Sequence, residues 1–201
     1  MTNALELFLN DIRRKCPKIT APELAAFAAG LCVETLPPKA VYRASDVVPD
    51  KIAFIAEGLL KGYYINPQGD QINTFFGTAG LFIGDYLAFV QQLPSRYAIA
   101  AIEPAVVVNL PFAHFQQSLD TVPALERYFR LVSQEGYIRY AKRTEGFIFG
   151  NAQSRYEHFV AEYPDLFRRI SVSDLSSYLG VQRQTLTRIR KKLLENSRPS
   201  K

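Results

Sequence analysis

The sequence has few of the side chains that bind metals or act as nucleophiles. It contains only two cysteines, Cys16 and Cys32, and two histidines, His114 and His158. The cysteines have neither metal-ligand spacing nor further ligands nearby, which argues against an iron–sulfur cluster or a zinc site. We interpret all four side chains as structural, so no metal site and no catalytic residue are predicted from them.

Long apolar runs are also absent. The longest runs, Leu24 to Leu31 and Ala98 to Ile102, are far shorter than the ~20 residues of a membrane-spanning helix. The N-terminus has no basic segment followed by a sustained apolar stretch, the pattern of a secretory signal. We therefore expect a soluble, cytoplasmic protein with no membrane partner. A hydrophobic content of 48% is enough to pack one large domain or two small ones.

Positive charge is concentrated near the C-terminus. Residues 1–149 carry 14 Lys and Arg against 14 Asp and Glu, whereas residues 150–201 carry 10 against 5. The whole net charge of +5 therefore comes from the last quarter of the chain. A local basic excess of this kind is the electrostatic footprint of nucleic-acid binding.

A helix-turn-helix pattern lies within this basic segment, over residues 170–193. Ser171 is predicted to cap the first helix, with Asp174 three residues later, and Gly180 to end that helix in a left-handed conformation. In the second helix Leu186, Ile189 and Leu193 form one buried stripe. The opposite, outward face then carries Arg183, Gln184, Thr187, Arg188 and Lys191.

These outward residue types suit recognition of a DNA major groove. Arginine can bind guanine through two hydrogen bonds, glutamine can bind an adenine edge, and threonine and lysine can hold phosphates. The alternative is an ordinary helical hairpin with a solvated basic face, which would require neither the glycine nor the local charge excess. The predicted DNA-binding residues are Ser171, Arg183, Gln184, Thr185, Thr187, Arg188, Lys191 and Lys192.

The rest of the chain predicts a β-domain between helices. Residues 1–30 have helical spacing, and from Cys32 short Val-, Ile-, Tyr- and Phe-rich runs alternate with turn signals. Such spacing predicts a sandwich or barrel with Gly58 and Gly69 at tight connections. The predicted strands are residues 39–43, 51–57, 59–65, 71–77, 97–101 and 105–111, and after a capping Asn151 a helix is expected over residues 152–162.

A long helix is predicted from Pro123 to about Thr144. Its apolar stripe is longer than the β-domain surface is expected to cover, so we expect a second copy of the same helix to pack on it in a homodimer. The predicted dimer interface consists of Leu125, Tyr128, Phe129, Val132, Gly136 and Tyr140.

In this order, the motifs resemble the Crp/Fnr family of bacterial transcription regulators over roughly residues 33–195. The resemblance implies an α+β fold: a cyclic-nucleotide-binding-like β-barrel with flanking helices, a long dimerisation helix and a C-terminal helix-turn-helix domain. The expected boundaries are residues 1–122, 123–150 and 151–201. Only a few residues separate the preceding helix from Ser171, and few follow the recognition helix, so we expect a trimmed, nearly all-helical DNA-binding domain without a full wing.

The segment from Gly80 to Phe89, followed by Pro94 to Ala100, resembles the family's phosphate-binding cassette. The resemblance implies an effector site at Gly84, Asp85, Tyr86, Arg96 and Tyr97, in which backbone N–H groups at a helix start and an arginine would hold an anion.

The cassette and the helix-turn-helix depart from the family pattern. Asp85 replaces a glutamate, Tyr97 replaces a small residue, and Tyr140 with Ala141 stands where some members bind adenine. A cyclic nucleotide, another small anion and no ligand at all remain open, the last with Asp85 and Arg96 as a structural ion pair. No other cofactor is predicted. In the recognition helix Gln184 replaces an acidic residue, which changes the expected base preference.

The leading hypothesis is therefore a non-enzymatic, homodimeric regulator that binds double-stranded DNA, with RNA polymerase as a further candidate partner. The main alternative is a small-molecule-binding module with a vestigial DNA-binding domain. An enzyme on a cupin-like barrel would require His and carboxylate ligands in the strands, and His is absent there. A helix-turn-helix adaptor that contacts protein alone would differ from a DNA reader in its salt dependence.

Overall fold

The structure is a computed structural model that describes residues 2–196, with side chains described for residues 3–193. The chain forms two compact units. The first, here called the β unit, consists of the segment that ends at Tyr64 together with Thr74–Glu135. The second, the helical unit, consists of Ile65–Asn73 and the segment from Gly136 onward. Residues 197–201, the end of the predicted DNA-binding domain, lie outside the described residues.

The β unit contains two antiparallel four-stranded sheets with helices before and after them. Sheet order is β1-β8-β3-β6 in one sheet and β2-β7-β4-β5 in the other. The strands are β1 (Cys32–Leu36), β2 (Val41–Arg43), β3 (Lys51–Glu57), β4 (Leu59–Ile65), β5 (Gln71–Thr78), β6 (Phe82–Ile83), β7 (Ala98–Ala101) and β8 (Ala105–Pro111). The helices are α1 (Thr2–Lys15), α2 (Ala21–Ala29), α3 (Tyr86–Gln91) and α4 (Phe112–Thr121), followed by the start of α5 (Pro123–Ile148).

The strand register and the turns follow from local sequence. Strand β8 pairs with β3, where Ile52 lies opposite Leu110, and with β1, where Cys32 lies opposite Asn109. The β3–β4 connection is a single residue, Gly58, whose φ of 95° is a conformation that glycine adopts without strain. A Cβ atom at this position would lie 2.4 Å from the Pro104 carbonyl oxygen. The glycine therefore permits both the reversal of the chain and the close packing of the two backbones.

Two cores hold the β unit together. One joins helices to a sheet: Phe8 of α1 stacks on Phe54 of β3 with ring centroids 4.7 Å apart, and Tyr128 of α5 is fully buried beside them. The other consists of aliphatic side chains from both sheets, among them Ile55, Leu60 and Ile99. Helix–sheet packing and sheet–sheet packing thus each have their own buried cluster.

Three predicted dimer-interface residues belong to the first of these cores, which corrects the prediction. Leu125, Tyr128 and Phe129 are 0%, 0% and 4% exposed within a single chain. Val132 is partly buried against the same cluster. Helices α1 and α2 already cover this part of the apolar stripe. The prediction, which rested on the length of the stripe, did not include these two helices.

Up to residue 196, the helical unit contains the end of α5 and four further helices. These are α6 (Ala152–Glu162), α7 (Leu166–Arg169), α8 (Val172–Leu179) and α9 (Arg183–Asn196). Asn151 caps α6 by accepting a hydrogen bond from the Ser154 N–H at 3.0 Å, as predicted. Between residues 136 and 196 no strand occurs. The prediction of an all-helical segment around the helix-turn-helix is thus confirmed for this part of the chain.

The predicted elements agree with the structure where their pattern was strong. The strands at residues 51–57, 59–65 and 105–111 and the helix at 152–162 have the predicted bounds. Strands β1 and β6 and the short helix α7 were not predicted. Strand β6 is only two residues long, and β1 alternates weakly, so neither produces a clear periodic signal.

A partly buried polar network connects β1, β2, β3 and β8. Asn109, 3% exposed, donates from Nδ2 to Glu34 Oε2 at 2.7 Å and accepts from the Tyr42 hydroxyl at 2.6 Å. Lys51 Nζ donates to the same Glu34 oxygen at 2.9 Å. Burial acts to raise the pKa of Glu34, but the hydrogen bonds from Lys51 and Asn109 outweigh it and hold that pKa below its ordinary value. The ionised form of Glu34 is therefore the one that stabilises the fold.

We predict that Glu34→Gln reduces the acid sensitivity of the fold. Because the folded pKa of Glu34 lies below its ordinary value of 4.5, its contribution is present above that pH and is lost as the pH falls through the folded value. Urea unfolding at about pH 7 and about pH 3.5 measures this. The free energy of unfolding should fall less between these values in Glu34→Gln than in wild type, whereas exposed Glu57→Gln should behave as wild type. Identical pH dependence in Glu34→Gln would contradict the assignment.

Candidate nucleic-acid interface and effector site

The first helix of the helix-turn-helix has both of its predicted ends. Ser171 Oγ accepts from the Asp174 N–H at 3.0 Å and donates to Asp174 Oδ2 at 2.7 Å. Gly180 has φ 64° and ψ 41°, and its N–H bonds back to α8 carbonyls. Ser176 is 4% exposed, and its small side chain allows other helices to approach α8 closely. The geometry of α8 and of its turn was therefore correctly predicted from sequence.

The second helix, α9, has one buried side and one exposed basic side. Leu186 and Ile189 are 0% and 8% exposed. The exposed side chains are those of Arg183, Gln184, Thr187, Arg188, Lys191 and Lys192, while Thr185 is half-buried at the edge. Ser171 is exposed at the start of α8. The structure thus brings the predicted DNA-binding residues together on the surface of the helical unit.

Not every basic side chain of α9 is on this exposed side. The guanidinium of Arg190 lies 4.6 Å from the centroid of the Phe167 ring, in a cation–π contact with α7. Arg190 is consequently half-buried and stabilises the packing of α7 on α9. Charge alone therefore overstates the number of residues that α9 offers to a ligand.

The turn between α8 and α9 is fixed by two arginines that the sequence analysis did not select. Arg143 of α5 donates to the Tyr178 carbonyl at 3.1 Å, and Arg155 of α6 donates to the Leu179 carbonyl at 2.9 Å. Both guanidiniums lie 4.8 Å from the centroid of the Phe147 ring.

Phe147 also contacts the turn itself. A Cβ atom on Gly180 would lie 2.8 Å from the Phe147 ring. The absence of a side chain at Gly180 therefore serves the close approach of α5 as well as the backbone conformation. Cations at the carbonyl end of α8 also interact favourably with the helix dipole. The Arg–Phe spacing of four residues at the end of α5 is the only signal in the sequence for this cluster.

In the β unit, the cassette residues make structural contacts with one another. Asp85 caps α3: its Oδ1 accepts from the Ala88 N–H at 3.1 Å and its Oδ2 accepts from Ser95 Oγ at 3.0 Å. Both carboxylate oxygens are therefore occupied inside the protein, and one N–H of the short helix start is already bonded. Arg96 is exposed, and the described residues contain no ion pair between Asp85 and Arg96.

Aromatic side chains fill space beside this cassette. Phe75 packs directly on the backbone of Gly62, where no Cβ atom could fit. Tyr97 is half-buried and meets Phe75 edge to face, with ring centroids 6.0 Å apart. Tyr86 is 46% exposed and accepts a hydrogen bond from Ser133 on α5. Of the predicted effector residues, Asp85, Tyr86 and Tyr97 therefore have partners elsewhere in the β unit, whereas Arg96 is exposed.

Two antiparallel sheets with flanking helices, the long helix α5 and a helix-turn-helix together define the fold of the Crp/Fnr transcription regulators, including their cyclic-nucleotide-binding-like β-domain. Among solved structures, the chain is similar to FixK2 from Bradyrhizobium japonicum, with a TM-score of 0.71 and 16% identity over 83% of this chain and 85% of that one. It is also similar to CLP from Xanthomonas campestris, a c-di-GMP-responsive global regulator, with a TM-score of 0.69 and 14% identity over 88% and 93% of the two chains.

The chain also has a similarity in sequence to one curated protein. The chain is 26% identical over 167 residues to electron transport regulator A of Shewanella oneidensis. The matched stretch covers 74% of this chain and 63% of that regulator. No family model matches the sequence. Electron transport regulator A and CLP are both named as regulators.

No helix among the described residues is long and apolar enough to cross a membrane.

We predict that cyclic AMP binds this protein at millimolar concentration or not at all. Asp85 is bonded to Ala88 and Ser95 rather than free for a ribose, and Tyr97 and Phe75 occupy neighbouring space. The two contacts that are lost are the ribose contact at Asp85 and the adenine contact at Tyr140 and Ala141. Loss of two hydrogen bonds, each worth about 1–3 kcal/mol, moves a micromolar site into the millimolar range. Calorimetry on ligand-free protein tests this. A dissociation constant below ~10 µM that Arg96→Ala abolishes would contradict the prediction.

Proposed function

We propose that this protein is a homodimeric DNA-binding transcription regulator that inserts helix α9 into the major groove. The observation that carries the proposal is the division of α9 into a buried apolar side and an exposed side with Arg183, Arg188 and Lys191. A recognition helix requires this division, because one side must pack on α8 while the other reaches base edges and phosphates. The similarity of fold to Crp/Fnr regulators supports the same function.

The exposed residues suit two kinds of contact. Arg188 and Gln184 have side chains that bind guanine and adenine edges through paired hydrogen bonds, so they are assigned to base reading. Lys191, Lys192 and Ser171 are assigned to phosphates, which fix the position of the protein on the duplex. Thr187 Oγ1 donates to the Arg183 carbonyl at 3.0 Å, so its methyl group is the part left for a base contact.

The dimer interface that the structure supports differs from the predicted one. Along α5, Leu131, Gln134, Ile138, Ala141, Glu145 and Ile148 repeat at intervals of three and four residues, the spacing of a coiled-coil seam, and four of the six are apolar. Ile138 and Ile148 of this set are 52% and 65% exposed. Exposed apolar residues at seam spacing are typical of a face that another helix covers, so a second α5 is assigned to it. Gly136 and Tyr140, from the original set, flank this seam.

We predict that Arg188→Ala weakens binding to the operator by about 1–3 kcal/mol, because alanine cannot replace a paired contact with a base. Lys191→Ala should weaken binding to all duplexes alike, since a phosphate contact carries no sequence information. Gel-shift titrations on operator and random duplexes, with the operator first selected from a random library, measure both effects. Equal loss on both duplexes in Arg188→Ala would show that Arg188 contacts only the backbone.

The same titrations separate DNA binding from the alternative functions. A DNA reader loses affinity steeply with salt, because phosphate contacts release counterions. If wild-type protein binds no duplex in low salt, a protein-binding adaptor or a small-molecule module replaces the proposed function.

We predict that Ile138→Glu produces monomers that bind the operator weakly. A buried charge opposes association, and one recognition helix alone cannot hold two half-sites. Sedimentation at tens of micromolar and gel shifts measure this. Val41→Glu is the matched control, because Val41 is an equally exposed apolar residue, 58% exposed, that belongs to strand β2 and not to α5. A dimer that persists in Ile138→Glu would contradict the proposed seam.

A further inference from the structure

The tip of the β4–β5 hairpin, residues Ile65–Asn73, is part of the helical unit. Its turn is internally bonded: Asn66 Oδ1 accepts from the backbone N–H of Gln68 at 3.0 Å and of Asp70 at 2.8 Å. Gly69 has φ 87°, which this tight turn requires. The hairpin tip is therefore a formed structural element and not an open loop.

The start of β5 binds α8, the first helix of the helix-turn-helix. The Asn73 N–H donates to Ser177 Oγ at 2.9 Å, and Ser177 Oγ donates to the Gln71 carbonyl at 3.0 Å. The Asn73 side-chain amide donates to Asp174 twice, to Oδ1 at 2.9 Å and to the backbone carbonyl at 3.1 Å. Gln71 Nε2 donates to Asn73 Oδ1 at 3.0 Å. Every polar group of the Asn73 side chain is thus bonded.

Burial makes these bonds significant for the position of α8. Asn73 is 1% exposed, although its type is usually found at surfaces. A buried amide that lost its partners would be costly, so the hairpin tip and α8 stabilise one defined arrangement. Asp174 also belongs to the cap of α8 through Ser171, so the same carboxylate connects the hairpin to the start of the helix.

The hairpin tip supplies an extended segment that the rest of the helical unit lacks. Residues 136–196 contain no strand that could pack on α8. Helix α8 buries Leu175 and Leu179 on one side, and Asp174 and Ser177 lie on another side, three residues apart. The hairpin tip supplies the extended chain that meets this polar side.

The docked hairpin leaves the proposed DNA-binding face open. With Asn73 bound to α8, the side chains of Gln184, Thr187, Arg188 and Lys191 are all exposed. A segment that inhibited DNA binding by occlusion would have to cover them. The contact is therefore compatible with support of the helix-turn-helix rather than with blockage of it.

We propose that the hairpin tip is a positioning element for DNA binding, with Asn73 as the residue that holds α8. The inference rests on the proposed function, because its consequence is operator affinity. Because α9 packs on α8, mobility of α8 would also displace α9, the proposed recognition helix. Asn73 positions the DNA-contacting residues and does not itself contact DNA.

The first test measures α8 without DNA. In full-length Asn73→Ala and Ser177→Ala, amide hydrogen exchange over residues 171–180 should be faster than in wild type, while the core strands β3 and β8 keep their protection. Gln68→Ala is the matched control, because Gln68 is an exposed residue of the same turn. Unchanged exchange in both α8-contact variants would show that the hairpin does not hold α8 and would overturn the proposal.

The second test measures DNA binding below the unfolding temperature. Asn73→Ala and Ser177→Ala should each weaken operator binding roughly 3- to 10-fold, and the double variant should lose less than the product of the two, because both remove one shared contact. Tighter operator binding in Asn73→Ala would instead identify the hairpin as an inhibitory element and would overturn the proposal.

A charge exchange keeps the test specific. Asn73→Asp places two carboxylates against each other and should lower operator affinity, whereas Asn73→Asp combined with Asp174→Asn restores one donor and one acceptor and should recover part of it. Absence of recovery would count against the pairing. If wild-type protein binds no duplex, the positioning role fails together with the proposed function, and the exchange pattern alone then shows whether the hairpin binds α8.

Discussion

The carbonyl end of α8 is the point on which the geometry of the helical unit depends. Its last carbonyls cannot bond within the helix, and the chain must reverse immediately to start α9. Gly180 solves the backbone problem, while Arg143 and Arg155 satisfy two carbonyls from neighbouring helices and pack on Phe147. The angle between α8 and α9 is therefore fixed by side chains from α5 and α6 as well as by the turn itself.

The two ends of α8 are fixed by different chemistry, which has consequences for the exposed face of α9. Its N-terminus is held by Ser171 and, through Asp174, by the hairpin residue Asn73. Its C-terminus is held by cations and an aromatic ring. An exposed helix face binds a partner with a smaller loss of conformational entropy when its side chains are already held in place. Contacts at both ends of α8, on which α9 packs, reduce that entropic cost.

Helix α5 has two different environments along its length. Near its start, Leu125, Tyr128 and Phe129 complete the core that α1 and α2 form on the sheet. Further along, Tyr137, Ile138 and Ile148 are exposed.

The β unit contains a comparable case. Asp85, Ser95 and Tyr97 form hydrogen bonds among themselves in the segment that resembles a phosphate-binding cassette. In both places, residues that the sequence alone assigned to a partner or ligand already have intramolecular contacts.

The sequence alone determined the order of the elements and the ends of several of them. Ser171, Asn151 and Gly180 act through neighbours within a few residues, so capping and turn chemistry can be read locally. The basic, outward side of α9 could likewise be predicted, because helical periodicity and charge are properties of a short segment. The strands with clear alternation or flanking turns had correct bounds for the same reason, whereas the two-residue β6 had too little pattern to predict.

Only the tertiary structure decided which side chains the long-range contacts bury. The apolar stripe of α5 was visible in the sequence, but its division between the core of its own chain and an exposed seam depends on where α1 and α2 pack. Likewise, Arg190 is as basic as Arg188, yet its contact with Phe167 removes it from the exposed face. Asn73 and Ser177 are 104 positions apart, and their hydrogen bond has no local signature. Periodicity identifies an apolar or charged side of a helix, but the choice of partner for that side is a competition among surfaces that meet only in the folded chain.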